Sequence, residues 1–201
     1  MSKRIILASA SPRRRELLSL ITEDFEIITK EVDERSAEIE MENSGTPAGL
    51  VSEGLALLKA RAVYDGLSEE EKKQVLVIGA DTSVILDNEI FGKPADKSEA
   101  VSMLTKLSGR IHTVATGVAL ITSEDVKCFT EDTPVEFYGL DQFQKDLIER
   151  YCSGKEPYDK AGAYGIQGGG ALLVKKIDGD FSNVVGLPVS RLAREMETMI
   201  Y

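Results

Sequence analysis

The chain has 201 residues, of which 42% are hydrophobic and 29% charged, a balance typical of a soluble globular protein rather than a disordered or membrane-embedded one. Its formal net charge of −10 argues against broad binding to nucleic acid, which needs a basic face. No apolar run is long enough to cross a bilayer, and the N-terminus has no signal-peptide pattern. We therefore expect a cytoplasmic protein without a nucleic-acid or membrane partner, built as a single domain over residues 1–201 or as two lobes that share a sheet.

Residues that could bind a soft metal are few. The chain contains two cysteines, Cys128 and Cys152, and a single histidine, His112. These are too few for a disulfide framework or a zinc site, and nothing near His112 supports a nucleophile–histidine pair. Any bound cation should therefore be a hard one that is held by oxygen ligands.

The first stretch predicts a strand that leads into a helix with an unusual first turn. Residues 5–8 form a short apolar run, and Ser11 followed by Pro12 is an N-cap with proline at the first helical position. Arg13, Arg14 and Arg15 would lie in the first turn, although the helix dipole favours acidic residues there by roughly 0.3–1 kcal/mol each. Backbone N–H and guanidinium groups together suit phosphate oxygens, so the turn indicates a phosphate pocket, with a solvated basic turn as the alternative.

The next segments combine a short strand, a polar connection and a helix. Residues 25–28 alternate like a strand, and residues 36–45 are polar, which predicts a mobile connection. A helix should begin at residues 46–47 and bury the apolar stripe formed by Val51, Leu55, Leu58 and Ala62. Lys59 lies beside that stripe, where a surface lysine is the default interpretation.

Asp81 lies within the strongest strand signal of the chain. Residues 75–86 form an apolar run that is interrupted only by Gly-Ala-Asp-Thr at 79–82. A buried carboxylate is rare unless it is paired, hydrogen-bonded or bound to a metal. The pattern therefore favours a functional role for Asp81 over a purely structural one.

The rest of the chain predicts an α/β protein. The expected elements are a hairpin turn at 87–89, a helix from Asp96 to Gly109, long paired strands at 111–122 and 126–138, a helix at 141–151, a strand at 171–177, a turn at 183–188 and a closing helix at 189–201. Residues 156–170 are rich in glycine, which lets the backbone approach a ligand closely. Gln167 within them can donate and accept hydrogen bonds to a nucleobase edge, although a flexible surface loop is the simpler interpretation.

Six short motifs, in this order, resemble those of the Maf family of nucleotide pyrophosphatases, first associated with septum formation. They are SASPRR at 9–14, GADT at 79–82, GKP at 92–94, LSGR at 107–110, DKAGAYGIQG at 159–168 and VGLP at 185–188. The resemblance implies an α/β fold similar to the inosine-triphosphate pyrophosphatases, with a long bent mixed β-sheet and flanking helices that form two lobes around a cleft. It also implies a homodimer that hydrolyses a nucleoside triphosphate to the monophosphate and pyrophosphate with a divalent metal, Mg²⁺ or Mn²⁺.

The resemblance further implies the site residues. The proton acceptor falls on Asp81 and its acidic partner on Glu34, and both can bind the metal, with the division of roles between them left open. The resemblance implies substrate contacts by Ser9, Arg13, Arg14, Lys59, Thr82, Lys93 and Gln167. Within the family, the branch that acts on dTTP and UTP is marked by the arginine, threonine and glutamine that stand here at Arg13, Thr82 and Gln167.

Two other functions remain open at this point. One is a pyrophosphatase for modified purine triphosphates such as 7-methyl-GTP, which shares the phosphate chemistry and differs in the base. The other is a non-catalytic regulator of cell division or a nucleic-acid-binding module, which would need a basic or aromatic face. The net charge of −10 and the aromatic content of 6% do not favour the latter.

Overall fold

A computed structural model describes residues 3–200, which form a mixed β-sheet flanked by helices. The strands are β1 (Arg4–Leu7), β2 (Glu26–Ile27), β3 (Val75–Leu86), β4 (Glu89–Phe91), β5 (Ile111–Ile121), β6 (Val126–Phe137) and β7 (Val174–Ile177). The α-helices are α1 (Pro12–Leu18), α2 (Glu34–Asn43), α3 (Ala48–Asp65), α4 (Glu69–Lys72), α5 (Lys97–Leu107), α6 (Gln142–Tyr151), α7 (Phe181–Val185) and α8 (Val189–Ile200). Within the described residues, no helix is both long and apolar enough to span a membrane.

The seven strands form one sheet in the order β2-β1-β3-β5-β6-β7, with β4 paired to β3. β1 lies parallel to both β2 and β3, with Leu7 opposite Ile27 and Ile78, whereas β4 runs antiparallel to β3 and β7 antiparallel to β6. Parallel pairing of β1 with β3 brings their carboxyl ends to the same edge of the sheet. The end of β1 therefore lies beside the part of β3 that carries Asp81.

The chain divides into two compact units, each with its own buried core. The first unit comprises the residues up to Asp81, residues 116–131 and those from Gly186 onward, and the second comprises residues 82–115 and 132–185. The first unit has two apolar clusters, and alternate residues of β1 and β3 belong to each, as expected for a strand that is buried on both faces. The second unit has one cluster, formed by residues of β3 to β7, α5 and α6.

Two glycines bring helix α3 unusually close to the sheet of the first unit. A Cβ atom on Gly79 would lie 2.2 Å from the carbonyl oxygen of Ala56, and one on Gly117 would lie 2.2 Å from the backbone nitrogen of Glu53. Any side chain at these positions would push the helix away. The two glycines therefore set the distance between α3, which carries Lys59, and β3, which carries Asp81.

Most of the predicted elements are confirmed. Helix α1 begins at Pro12, and Ser11 is its N-cap, as expected. Helix α5 begins after Asp96, whose side chain accepts a hydrogen bond from the backbone N–H of Glu99, and Gly109 just beyond it has the left-handed φ of +73°. The predicted strands at 111–122 and 126–138 are β5 and β6, which are neighbours in the sheet.

Three expectations that bear on the site were wrong. The segment at 36–45 is not a mobile connection but most of helix α2, which is capped by the Asp33 side chain and has no fully buried residue, so it shows no hydrophobic period. Residues 183–185, the first half of the predicted turn at 183–188, are the last residues of helix α7. Strand β3 runs through residues 79–82 without interruption, because Gly79 fits against α3 while remaining in extended conformation.

Candidate active site

Two predicted carboxylates of the first unit, those of Glu34 and Asp81, converge on the ammonium group of a third predicted site residue, Lys59. Lys59 Nζ lies 2.7 Å from Asp81 Oδ1 and 2.7 Å from Glu34 Oε2. The side chains of Lys59 and Asp81 are only 15% and 14% exposed, whereas that of Glu34 is 48% exposed. The pair of Lys59 and Asp81 is therefore largely shielded from water, and Glu34 reaches the same nitrogen from the solvent side.

Each of these three side chains is placed by a different element. Asp81 lies on β3, directly after the buried residue Ala80, and Lys59 lies on α3 next to Ala60, which packs against Gly79. Glu34 is the first residue of α2, whose N-cap Asp33 accepts hydrogen bonds from the backbone N–H and the hydroxyl of Ser36. Those bonds hold the pKa of the Asp33 carboxyl below its usual range. Two rigid elements and one capped helix end thus meet at the charged cluster.

Arg14 anchors helix α1 to the strand that carries Asp81. Its Nη1 donates to the carbonyl oxygen of Ala80 at 2.8 Å and to Ser9 Oγ at 3.5 Å, and its Nε donates to the carbonyl oxygen of Gly186 at 2.9 Å. The hydroxyl of Ser9, a buried residue, also accepts from the backbone N–H of Ser11 at 3.3 Å. Arg14 therefore fixes the backbone next to Asp81, a positioning role that the sequence does not reveal.

The guanidinium of Arg14 lies in an electrostatic environment with opposing contributions. Burial lowers its pKa from the ordinary value, the charges of Asp81 and Glu34 raise it, and the charge of Arg13 lowers it. An arginine remains protonated across such changes. The positive charge of Arg14 on the first turn of α1 and the negative charges of Asp81 and Glu34 therefore stabilise each other.

Of the four remaining predicted residues, Arg13 lies on α1 in the first unit, and the other three belong to the second unit. Thr82 follows Asp81 on β3 and is half-buried, and Lys93 is exposed just after β4. Gln167 is exposed in a loop between short 3₁₀ turns at Ala161–Ala163 and Gly169–Leu173. Among the nine predicted residues, ion pairs join Glu34, Lys59 and Asp81, and a hydrogen bond joins Ser9 to Arg14.

The donor set at the cluster is suited to a hard divalent cation. Glu34 and Asp81 each direct a carboxylate oxygen toward one point, which Lys59 Nζ now occupies. Mg²⁺ in nucleotide enzymes is commonly bound by one or two carboxylates, with substrate phosphates and water as the other ligands. Within residues 3–200 there is no group of three or more histidine, cysteine, aspartate or glutamate side chains arranged for a metal. The two carboxylates of Glu34 and Asp81 nevertheless fit a site in which substrate phosphates and water supply the other metal ligands.

Two further residues of the second unit contact the glycine-rich loop but lie outside the six sequence motifs. Tyr151 at the end of α6 and Glu156 five residues later hydrogen-bond to each other and to the backbone of the glycine-rich loop. Glu156 stands just before the DKAGAYGIQG motif, and this proximity is the only hint that the sequence offers.

Gly186, the carbonyl partner of Arg14, lies within the VGLP motif but 172 residues from Arg14.

The fold places the chain among proteins similar to Ham1. The structure of the Staphylococcus aureus Ham1 protein superposes with a TM-score of 0.51 and 19% sequence identity, covering 98% of this chain and 100% of the other. This confirms the predicted α/β fold similar to the inosine-triphosphate pyrophosphatases. Residues 4–199 match the family model described as Maf-like protein, so the chain belongs to the Maf family.

Relatives within the family resemble the chain over nearly its full length. Proteins named dTTP/UTP pyrophosphatase from Bacillus mycoides and Bacillus velezensis are each 47% identical to it, over 97% and 98% of this chain and 95% and 97% of theirs. One of the same name from Thermosipho africanus is 47% identical over 94% of this chain and 90% of its own. The similarity therefore extends across both compact units.

Proposed function

We propose that this protein hydrolyses the pyrimidine nucleoside triphosphates dTTP and UTP to the monophosphate and pyrophosphate. The observation that carries the proposal is the convergence of Asp81 and Glu34 on Lys59, close to the cationic first turn of α1. Attack of water on the α-phosphorus needs a proton acceptor and positive charge around the leaving pyrophosphate, and this cluster supplies both. The names of the relatives that match nearly the whole chain support the choice of substrate.

The phosphate end of the substrate is assigned to the basic residues. Arg13, Lys59 and Lys93 neutralise phosphate oxygens, and Arg14 and Ser9 keep the first turn of α1 in place through their hydrogen bonds to each other and to Ala80. As the bond between the α and β phosphates breaks, negative charge grows on the leaving group. A positive charge that is already fixed in place stabilises that change without further reorganisation.

The carboxylates are assigned the acid–base chemistry. Asp81 is the more enclosed of the two, so we assign to it the acceptance of a proton from the attacking water, with Glu34 as its partner. Both would hold a Mg²⁺ or Mn²⁺ ion, which when bound supplies charge neutralisation to the phosphates and lowers the pKa of a bound water. The ammonium of Lys59 holds the two carboxylates together through its ion pairs.

The remaining assignments rest on the family resemblance. Thr82 and Gln167 contact the pyrimidine base, and Gln167 carries the donor and the acceptor that reading a base edge requires. The whole chain, residues 1–201, acts as one catalytic domain, as a homodimer in the cytoplasm and without a nucleic-acid partner. Light scattering on the purified protein tests the dimer directly.

A panel of nucleotides tests the substrate assignment. Pyrophosphate release from dTTP, UTP, GTP and 7-methyl-GTP is measured with and without Mg²⁺, in the wild type and in Lys59→Met. We expect dTTP and UTP to be preferred, activity to require the metal, and Lys59→Met to lose most of it. Lys106→Met, which removes an exposed lysine paired with Glu89, is the matched control. A preference for 7-methyl-GTP would contradict the assignment to pyrimidines, and full activity of Lys59→Met would contradict the site.

A further inference from the structure

The glycine-rich loop of the second unit is held by two side chains that lie outside the motifs. Tyr151 Oη accepts a hydrogen bond from the backbone N–H of Gly165 at 3.2 Å and donates one to Glu156 Oε1 at 3.2 Å. Glu156 Oε2 in turn accepts from the backbone N–H of Gly169 at 3.1 Å. The two backbone amides lie on either side of Gln167 in the sequence. A single tyrosine–glutamate pair thus fastens both ends of the segment that carries Gln167.

The glycines of this loop are needed for close packing. A Cβ atom on Gly168 would lie 2.2 Å from Glu156 Oε1, and one on Gly165 would lie 2.6 Å from Cε of Lys160. A Cβ on Gly170 would lie 2.7 Å from the carbonyl oxygen of Gly165. Gly165 and Gly168 therefore lie directly against the ends of the Lys160 and Glu156 side chains, and Gly170 lies against the backbone of the loop. This packing replaces the interpretation of residues 156–170 as a flexible surface loop.

The pair itself stands on a rigid base. Tyr151 ends helix α6, is 8% exposed and belongs to the apolar core of the second unit. Burial, and then the charge of Glu156, raise the pKa of its phenol, so the hydroxyl remains protonated and available as a donor. The ammonium of Lys160 donates to the carbonyl oxygen of Glu156 at 2.7 Å and pairs with Asp159, which fixes the backbone that bears the carboxylate.

We propose that Tyr151 and Glu156 are positioning residues for substrate specificity: by fastening the amides of Gly165 and Gly169, they hold Gln167 where it reads the pyrimidine base. This inference rests on the proposed function, in which Gln167 contacts the base. Neither residue touches the substrate. Their effect is to restrict a loop whose single exposed amide side chain could otherwise adopt many orientations, at an entropic cost paid on binding.

The test compares Tyr151→Phe and Glu156→Met with matched controls. Tyr151→Phe removes the hydroxyl and keeps the buried ring, and Glu156→Met keeps the length of the side chain and removes both acceptor oxygens. Tyr158→Phe, which removes a hydroxyl that donates to the Cys152 carbonyl oxygen at 2.7 Å, controls for the first variant. Glu149→Met, which changes an exposed glutamate paired with Lys97, controls for the second.

Two readouts separate positioning from mere stability. The first is hydrogen exchange of the loop amides, which we expect to accelerate at Gly165 and Gly169 in both variants and in neither control. The second is steady-state kinetics: loss of one such hydrogen bond should raise KM for dTTP and UTP about fivefold with kcat nearly unchanged, and leave KM for GTP unaltered. A simple loss of stability would change all nucleotides alike.

The possible results point to different failures. If the wild type does not release pyrophosphate from dTTP or UTP, the proposed function is wrong. If the wild type does so but exchange at Gly165 and Gly169 is the same in Tyr151→Phe as in Tyr158→Phe, the pair does not fasten the loop. If exchange accelerates while KM for pyrimidines and purines changes equally, the pair does not determine specificity. Either of the last two results overturns this inference alone.

Discussion

The two compact units hold their candidate functional residues in different ways. In the first unit the side chains are charged, lie mostly on strands and helices, and are fixed by ion pairs and backbone carbonyls, as Lys59 and Arg14 show. In the second unit Gln167 lies on a loop whose backbone N–H groups donate hydrogen bonds to Tyr151 and Glu156. Regular elements position groups more accurately than loops do, whereas loops tolerate change. In the proposed function, residues of the first unit carry out bond cleavage and Gln167 of the second unit contacts the base.

The strongest test of this comparison is Asp81→Asn. The amide keeps the shape of the carboxylate but accepts no proton, so we expect a normal fold and a loss of activity of about 100-fold or more, the scale of a missing general base. Pyrophosphate release and thermal unfolding are the measurements. Asp87→Asn, in the exposed turn after β3, is the matched control and should retain activity. Near-full turnover by Asp81→Asn would remove Asp81 from the proposed mechanism.

Gly79→Ala tests whether the sheet and helix of the first unit must touch. The added Cβ would lie 2.2 Å from the Ala56 carbonyl oxygen, so α3 must move, and we expect destabilisation of about 2–3 kcal/mol, together with weaker activity as Lys59 shifts. Gly49→Ala, on the same helix and with no atom within 4 Å of the added methyl group, is the control. Denaturant unfolding compares the two. Equal stability would show that the close approach is not required.

His112 gives the second unit a distinct pH signature. It is buried, its Nε2 lies 2.7 Å from the Tyr164 hydroxyl, and it packs edge-on against Phe137. Burial lowers its pKa from 6.5 to about 4. Between these values the unfolded chain binds a proton that the native state does not, so stability is full above pH 6.5 and falls as the pH falls toward 4.

Unfolding free energies at pH 7, 6 and 5 check this expectation. From pH 6.5 to 5 the histidine should contribute a loss of about 2 kcal/mol, and His112→Gln should lack that part of the slope. The carboxylates titrate alike in both proteins, and the chain has no other histidine, so the difference belongs to this residue. Parallel pH profiles for the two proteins would contradict the assignment.

Much of the fold can be predicted from the sequence because its signals are local. The N-cap and proline at Ser11 and Pro12 mark the start of α1, and the apolar run of β3 marks the buried strand that carries Asp81. Helix α2 escapes prediction because it has no fully buried residue, so hydrophobic periodicity cannot reveal it. The sequence marks the start of α2 only by Asp33, an N-cap residue type that lies three residues before Ser36.

The site is less predictable than the fold because its contacts are long-range. The family motifs identify Lys59, Asp81 and Glu34 as candidate site residues. No local sequence pattern predicts that Lys59 forms ion pairs with both carboxylates. The anchoring of Arg14 by the Gly186 carbonyl spans 172 residues and uses a main-chain atom, which carries no sequence signal at all. Sequence motifs therefore fail to reveal the role of side chains that act by hydrogen bonding to distant backbone groups.

The smallest expected effect concerns Glu34, which departs from the pattern of the first unit. It is half-exposed on a helix without a fully buried residue, so its position depends on the N-cap bonds from Ser36 to Asp33 rather than on packing. Asp33→Ala should fray the start of α2, speed amide exchange there severalfold and lower activity only about threefold, in keeping with the loss of a single cap. Asp33→Asn keeps an acceptor and should behave like the wild type. If Asp33→Ala instead matches Asp81→Asn in severity, activity depends on the position of Glu34 as strongly as on Asp81, and the small effect expected for Glu34 would be wrong.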